Sequence, residues 1–217
     1  MILYSLPTSP YSAAVRTAIY AKGLPIEIKE PPGGLQTDEY RAVSGTGTVP
    51  CLMLDDGTPL PESTVILAYL DEKHPETPLM PAGPPEARAR VRLMTQLAVG
   101  GVADPIVLMF HDLSEGAPDA KPRALERLVA GLGKLERFAA ADGYAAGPAF
   151  SQADCFLGVA LMGVGVFGGT LLGAPDLLTR HPKLAALAGR LAAHPAVAKV
   201  MAELQAAMAE NPLPTGA

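Results

Sequence analysis

The sequence predicts a mixed α/β domain followed by an all-α domain. Three observations carry that prediction. Short strand-like and helix-like runs alternate over residues 1–80. Prolines then crowd into His74-Pro75-Glu76-Thr77-Pro78-Leu79-Met80-Pro81 and Gly83-Pro84-Pro85, a stretch that helix crosses only at a cost. Beyond it, the long segments repeat their apolar residues at helical spacing. Residues 1–80 therefore form the first domain, 81–86 the linker and 87–217 the second.

The first element is the apolar run Met1-Ile2-Leu3-Tyr4, a strand. Leu6-Pro7-Thr8-Ser9-Pro10-Tyr11-Ser12 turns the chain into a helix. Ser9 suits the N-cap, because its oxygen can accept from the free N–H groups of the first turn. Pro10 suits the first helical position, where no N–H is missed. Val15, Ile19 and Tyr20 follow at helical spacing, and Lys22-Gly23 is a normal end. Pro25-Ile26-Glu27-Ile28-Lys29 alternates like a half-buried strand. Pro31-Pro32-Gly33-Gly34 is a loop, residues 37–43 a short helix capped by Thr37 or Asp38, and 44–48 a loop again. Cys51-Leu52-Met53-Leu54 is a strand, Asp55-Asp56-Gly57 a hairpin turn and Thr58-Pro59-Leu60 an edge strand, where proline is tolerated. Ser63 caps a helix over 64–73. The order is β-α-β-α-β-β-α.

In the second domain, residues 86–113 form one long helical tract, bent at Gly100-Gly101 or Pro105. Residues 122–141 form another, with Leu125, Leu128, Val129, Leu132 and Leu135 on one face. Phe150-Ser151-Gln152-Ala153-Asp154 opens a third, over 151–168, with Ser151 and Asp154 at capping-box spacing. Residues 184–193 and 196–209 complete the set, and the tail 211–217 is loose.

An apolar content of 49% is ample for a buried core, and a net charge of −5 argues against nucleic acid, which wants a basic face. Cys51 and Cys155 sit in apolar surroundings and read as free core residues. The N-terminus lacks a basic segment followed by a long apolar one, so the expected location is cytoplasmic. Residues 155–174 carry no charge and are long enough for a membrane span. Six glycines from Gly158 to Gly173 and acidic flanks favour a buried central helix instead, so no stable span is expected. No metal-ligand spacing occurs, and His74, His181 and His194 each precede proline at element ends and read as structural.

Ser9-Pro10-Tyr11-Ser12 resembles a glutaredoxin active-site turn with both cysteines replaced by serine. With Thr48-Val49-Pro50 and Pro61-Glu62-Ser63, it resembles the glutathione-binding half of the cytosolic glutathione transferases, nearest their theta-, delta- and zeta-like branches. The opening at Phe150–Asp154 resembles the folding signature of that family's second half, so the resemblance spans nearly the whole chain. It implies a thioredoxin-like first domain, glutathione as co-substrate, no metal, and a homodimer. Ser44-Gly45 stand where the family often has Asn-Pro.

The thiol of glutathione has a pKa of about 8.5. Lowering it by about two units needs about 2.7 kcal/mol of preferential thiolate stabilisation. A hydroxyl donor and a helix N-terminus can supply this together. The resemblance gives that task to Ser9, as activator rather than nucleophile, with Ser12 and Tyr11 as alternatives and Tyr4 as a further candidate. It implies that Pro50 is cis and that Val49 pairs with the cysteinyl part of glutathione through its backbone. Ser63 would hold the γ-glutamyl carboxylate and Glu62 the ammonium group, while Gln36 or Thr48 would meet the glycyl end. Met109, Phe110 and His111 are candidates for the pocket of a small apolar electrophile. The expected function is a glutathione transferase. Its rivals are a glutathione-dependent isomerase resembling maleylacetoacetate isomerase, a non-catalytic binding protein on the same fold, and a protein that switches to a membrane form.

Overall fold

The computed structural model describes residues 1–210; the tail 211–217 lies outside the described residues. Strands β1 (Ile2–Tyr4), β2 (Glu27–Lys29), β3 (Cys51–Met53) and β4 (Pro59–Pro61) form one sheet in the order β2-β1-β3-β4. β1 runs parallel to β2 and antiparallel to β3, and β3 and β4 form the hairpin. Helices α1 (Pro10–Lys22), α2 (Asp38–Ser44) and α3 (Ser63–Lys73) alternate with the strands in the expected order. Leu3 packs with Val15 and Ile19 of α1 and with Ile66 and Leu70 of α3. Successive strand residues face opposite sides of a sheet. Tyr4 accordingly turns away from that core and meets Tyr40 of α2 edge-on, with ring centroids 5.6 Å apart. The first domain is thus a thioredoxin-like sheet with α1 and α3 on one face and α2 on the other.

The second part is helical: α4 (Pro85–Ala98), α5 (Asp104–Ser114), α6 (Ala120–Phe138), α7 (Gln152–Thr170), α8 (Pro182–Ala192) and α9 (Pro195–Glu210). α4 and α5 are continuous through a π-helical turn, Val99–Ala103, which carries the expected bend at Gly100-Gly101. There the Asp104 N–H reaches back five residues to the Val99 carbonyl. Pro105, with no N–H to offer, starts the next regular turn. The two continuous stretches Pro85–Ser114 and Gln152–Thr170 are each apolar and long enough to cross a membrane. Both turn that apolar surface into the helical core, through Met94, Ala98 and Ile106 of the first and Phe156, Leu157, Ala160, Leu161 and Val164 of the second.

α7 opens with the expected capping box. Asp154 accepts from the Ala145 N–H at 2.8 Å, the Ser151 N–H at 2.9 Å and the Ser151 hydroxyl at 2.7 Å. Burial pushes its carboxyl up to about 6, against the pull of these donors. Lys22 stitches the linker down. Its buried ammonium donates to the carbonyls of His74 and Thr77 and sits 2.9 Å from Asp71, which itself accepts from the N–H groups of Leu79 and Met80. Cys51 and Cys155 are free and buried.

Three sequence expectations need correction. Ser63 is the first residue of α3 rather than its cap; Glu62 takes the cap position at φ 71°, and its side chain makes no capping bond. On α6, Val129 faces solvent, while Ala124 and Gly131 share the buried face with Leu128, Leu132 and Leu135. The helix also stops at Phe138, short of 141, because Ala139 is extended at ψ 141°. The small residues lie inward because the π turn comes so close: a Cβ built on Gly131 would meet the Gly101 backbone, 2.5 Å from its Cα. Gly131→Ala is therefore expected to cost about 2–3 kcal/mol by overpacking in urea denaturation. Gly133→Ala, two residues along and with nothing within 4 Å, should be neutral or stabilising by about 0.5–1 kcal/mol. Equal effects at the two positions would contradict the close approach.

Candidate active site

Two adjoining cavities open where the sheet domain meets the helices. The larger, about 530 Å³, is lined by the β1–α1 loop from Leu6 to Tyr11, by Leu35, Gln36, Thr48 and Val49, and by residues of α5, α7 and α9. The smaller, about 400 Å³, is lined by Tyr11, Thr48, Val49, Pro50, Glu62, Ser63, Thr64, Gln96, Val99 and Asp104. Tyr11, Thr48 and Val49 belong to both, so one continuous surface runs from Glu62-Ser63 to Ser9. Ser9, Gln36, Thr48, Val49, Pro50, Glu62 and Ser63, far apart in sequence, all lie on it.

Ser9 caps α1. Its oxygen accepts from the Ser12 N–H at 3.2 Å, and Pro10 follows at the first helical position. The Ser9 hydroxyl donates to no group among the described residues, so its proton is uncommitted at the cavity wall. The other two hydroxyls of the turn differ. Ser12 is fully buried; its hydroxyl reaches neither cavity and has no partner among the described residues. Tyr11 lines both cavities, but a phenol has a single proton, and this one goes to Asp104 Oδ1 at 2.5 Å. Burial, and after it the Asp104 hydrogen bond, holds the Tyr11 hydroxyl well above its ordinary pKa, so it stays a neutral donor to that carboxylate. Tyr4, packed on Tyr40, lines neither cavity.

The Val49–Pro50 peptide bond is cis. The N–H and carbonyl of Val49 hydrogen-bond to nothing among the described residues, and both cavities are lined by this residue. Tyr40 steadies the loop by donating to the Thr48 carbonyl at 2.9 Å. Gln36 is held at φ 60°, with its N–H on the Gly47 carbonyl and its side-chain oxygen accepting from Arg41 at 2.8 Å. Glu62 is the second non-glycine residue in left-handed backbone, a conformation that costs on the order of 1–3 kcal/mol and collects at functional sites. Its turn leaves the first N–H groups of α3 without a side-chain cap, beside Ser63 and Thr64 in the smaller cavity. A helix start of this kind suits an anion, and the Glu62 and Asp104 carboxylates beside it suit a cation. The smaller cavity can therefore seat a zwitterion.

The larger cavity is apolar over most of its wall. Ile106, Val107, Phe110 and His111 of α5 line it, with Val159, Ala160 and Phe167 of α7 and Leu204 of α9. Phe110 and Phe167 meet edge-on at 5.3 Å. Met109 does not line it. It is fully buried, because residues 106, 107, 110 and 111 share one helical face and position 109 turns off that face into the core. Among the described residues no Lys or Arg lines this cavity, and no three His, Cys, Asp or Glu side chains gather to hold a metal. Asp104, Gln96 and Leu204 escaped the sequence reading. The only local sign of Asp104 was the Gly100-Gly101 and Pro105 punctuation that marks the π turn.

Comparisons with known proteins agree with this architecture. The sequence model of the glutathione S-transferase N-terminal domain matches residues 3–78, and that of the glutathione S-transferase C-terminal domain matches residues 118–190. A glutathione S-transferase of Pseudomonas putida is 30% identical over 209 residues, 95% of this chain and 93% of that protein. A probable maleylacetoacetate isomerase of Drosophila melanogaster is 34% identical over 163 residues, 72% of this chain and 70% of its own length. The crystal structure of a Methylobacterium radiotolerans glutathione S-transferase in complex with glutathione sulfonate superposes with a TM-score of 0.76 at 30% identity, covering 92% of this chain and 93% of that one. The chain belongs to the glutathione S-transferase family.

Proposed function

We propose that the protein is a glutathione transferase that binds glutathione along the two cavities, stabilises its thiolate with the Ser9 hydroxyl, and directs it at a neutral, apolar electrophile in the larger cavity. The observation that carries this reading is the state of the three hydroxyls at the α1 turn. Of Ser9, Tyr11 and Ser12, only Ser9 has both a place on the cavity wall and a proton to give. Its donor and the start of α1 act on the same sulfur, and neither needs to move as charge develops.

The rest of the surface reads in one direction. The α3 N-terminus with Ser63 receives the γ-glutamyl carboxylate, Glu62 the ammonium group, the Val49 backbone the cysteinyl unit as an added strand, and Gln36 or Thr48 the glycyl end. Phe110 and His111 border the second substrate. The reading includes a cytosolic homodimer, as the family resemblance implies. Relatives named maleylacetoacetate isomerase favour isomerisation as a second reading. Against it stands the larger cavity's mostly apolar wall, which among the described residues offers no Lys or Arg to a carboxylate-bearing substrate; a carboxylate set against apolar surface costs several kcal/mol unless it is paired.

Ultraviolet titration of bound glutathione tests the activator. Ser9→Ala should raise the thiol pKa by about 1–2 units, equivalent to about 1.4–2.7 kcal/mol. Tyr11→Phe should leave that pKa in place while lowering stability by about 1–3 kcal/mol, since it strips a hydrogen bond from a carboxylate. A thiol pKa unmoved in Ser9→Ala would remove Ser9 from the mechanism.

Turnover assays separate the two readings. A neutral aromatic or alkyl electrophile should be conjugated with a kcat/KM at least about tenfold above that for isomerisation of a maleyl dicarboxylate. Faster isomerisation would replace the transferase reading by the isomerase one.

A further inference from the structure

Behind the Ser9 loop, outside the walls of both cavities, lies a half-buried polar cluster that the reaction scheme does not use. Arg16, two turns into α1, is buried. Its Nη2 donates to the Pro7 carbonyl at 3.0 Å and its Nη1 to the Ser5 hydroxyl at 3.4 Å, so the guanidinium grips the loop that ends in Ser9. Its Nε has no hydrogen-bond partner among the described residues but lies 3.3 Å from Glu203 Oε2 of α9. The other Glu203 oxygen accepts from the Tyr20 hydroxyl at 2.6 Å, and Lys199 lies 3.7 Å above the Tyr20 ring. The next residue, Leu204, lines the larger cavity.

We infer that Glu203 is a positioning residue. From α9 it orients the Arg16 guanidinium, which fixes the Pro7 carbonyl and through it the placement of the Ser9 hydroxyl. This inference rests on the activator reading for Ser9 and goes beyond it, because it ties the activating loop to the last helix.

The physical case is one of geometry. A guanidinium is a rigid planar fork, so fixing one edge fixes the others. A carboxylate against Nε leaves Nη1 and Nη2 aimed at the loop. Without it, a buried, desolvated guanidinium has reason to turn toward other acceptors or solvent, and the loop loses its clamp. Its two ends are anchored, at Ser5 by the Lys29 carbonyl and at Ser9 by the first turn of α1, but between them, among the described residues, the loop has besides the clamp one hydrogen bond, from the Ser9 N–H to the Leu6 carbonyl at 3.2 Å. The groups that receive the rest of glutathione, Val49, Glu62 and Ser63, sit on other segments. Removing Glu203 should therefore weaken activation more than binding.

The experiment compares wild type with Glu203→Ala and Glu203→Gln by hydrogen–deuterium exchange and by ultraviolet titration of bound glutathione. In Glu203→Ala, exchange over residues 5–12 should rise by about tenfold while α7 keeps its protection. The bound thiol pKa should rise, and kcat should fall by about fivefold with KM for glutathione within about twofold of wild type. Glu203→Gln, whose amide oxygen can still accept from one partner, should recover most of both losses. Unchanged loop exchange and thiol pKa, even with a lower melting temperature, would reduce Glu203 to a structural tie and overturn the inference. A fall in thiol pKa would overturn it too, because Glu203 would then act only as a negative charge offsetting Arg16. If Glu203→Ala does not fold, Tyr20→Phe, which removes the other partner of the carboxylate, carries the same readouts. Wild type without a thiolate band would defeat the activator reading alone; the exchange measurement, which needs no glutathione, still decides on Glu203.

Discussion

Helix α1 is buried on two sides at once, and the site depends on that. Every residue from Ser12 to Ile19 is buried. Val15 and Ile19 pack into the sheet with Leu3, Leu52 and Ile66, while Ala14 and Ala18 join the helical core around α7, and Ala13 packs against Val159 and Val200. The division of labour follows from size. Branched side chains fill the space against the sheet, and alanines let the helices beyond come close. Burying each Val or Ile is worth about 1.5–3 kcal/mol, whereas surface ion pairs such as Arg180–Asp176 contribute about 0–1 kcal/mol. Apolar packing therefore fixes where α1 points, and with it where its N-terminal N–H groups and Ser9 lie. Both cavities are the space left over at that end.

Local chemistry was the legible part of the sequence. Ser9-Pro10 marked a helix start, Thr37 or Asp38 a cap and Ser151–Asp154 a capping box, because each depends on residues within one turn of each other. The order of elements along the chain followed from their patterning, but the packing of the strands came from resemblance rather than propensity. What stayed hidden was set at a distance. Val129 looked like a core residue by hydrophobicity and Gly131 did not; the structure reverses them because the π turn on the neighbouring helix leaves no room for a side chain. Phe110 and Met109 were indistinguishable as apolar residues on a tract of unknown phase, and one residue of rotation separates the cavity wall from the core. Tyr11, Asp104, Arg16 and Glu203 could each be seen in the sequence, but 93 residues separate Tyr11 from Asp104.

The π turn connects these hidden features. The i to i−5 hydrogen bond from Asp104 to Val99 resets the phase of α5 against α4. With that phase, Asp104 reaches Tyr11 and the apolar face of α5 reaches the larger cavity. Such turns are rare and recur at functional sites. Here the cost of the irregular turn is met by close contact with Gly131 and by Pro105, which needs no hydrogen-bond acceptor. A regular helix through this region would leave Pro105 clashing with the carbonyl four residues before it and would rotate the cavity wall away from the ligand surface.

The net charge of −5 looks at first unsuited to an anionic tripeptide. Exposed charges more than about 8–10 Å away are screened at ordinary ionic strength, so the charges that matter are those on the cavity walls. Along this surface they change in order: two carboxylates beside the uncapped start of α3, then the neutral backbone of Val49, then the Ser9 hydroxyl at the start of α1 facing a mostly apolar wall. On the proposed reading, the zwitterionic end of glutathione is held at the first of these and its thiolate is stabilised at the last. That reading draws binding energy and activation from different segments, β4–α3 and β1–α1, which are held in register by the sheet between them.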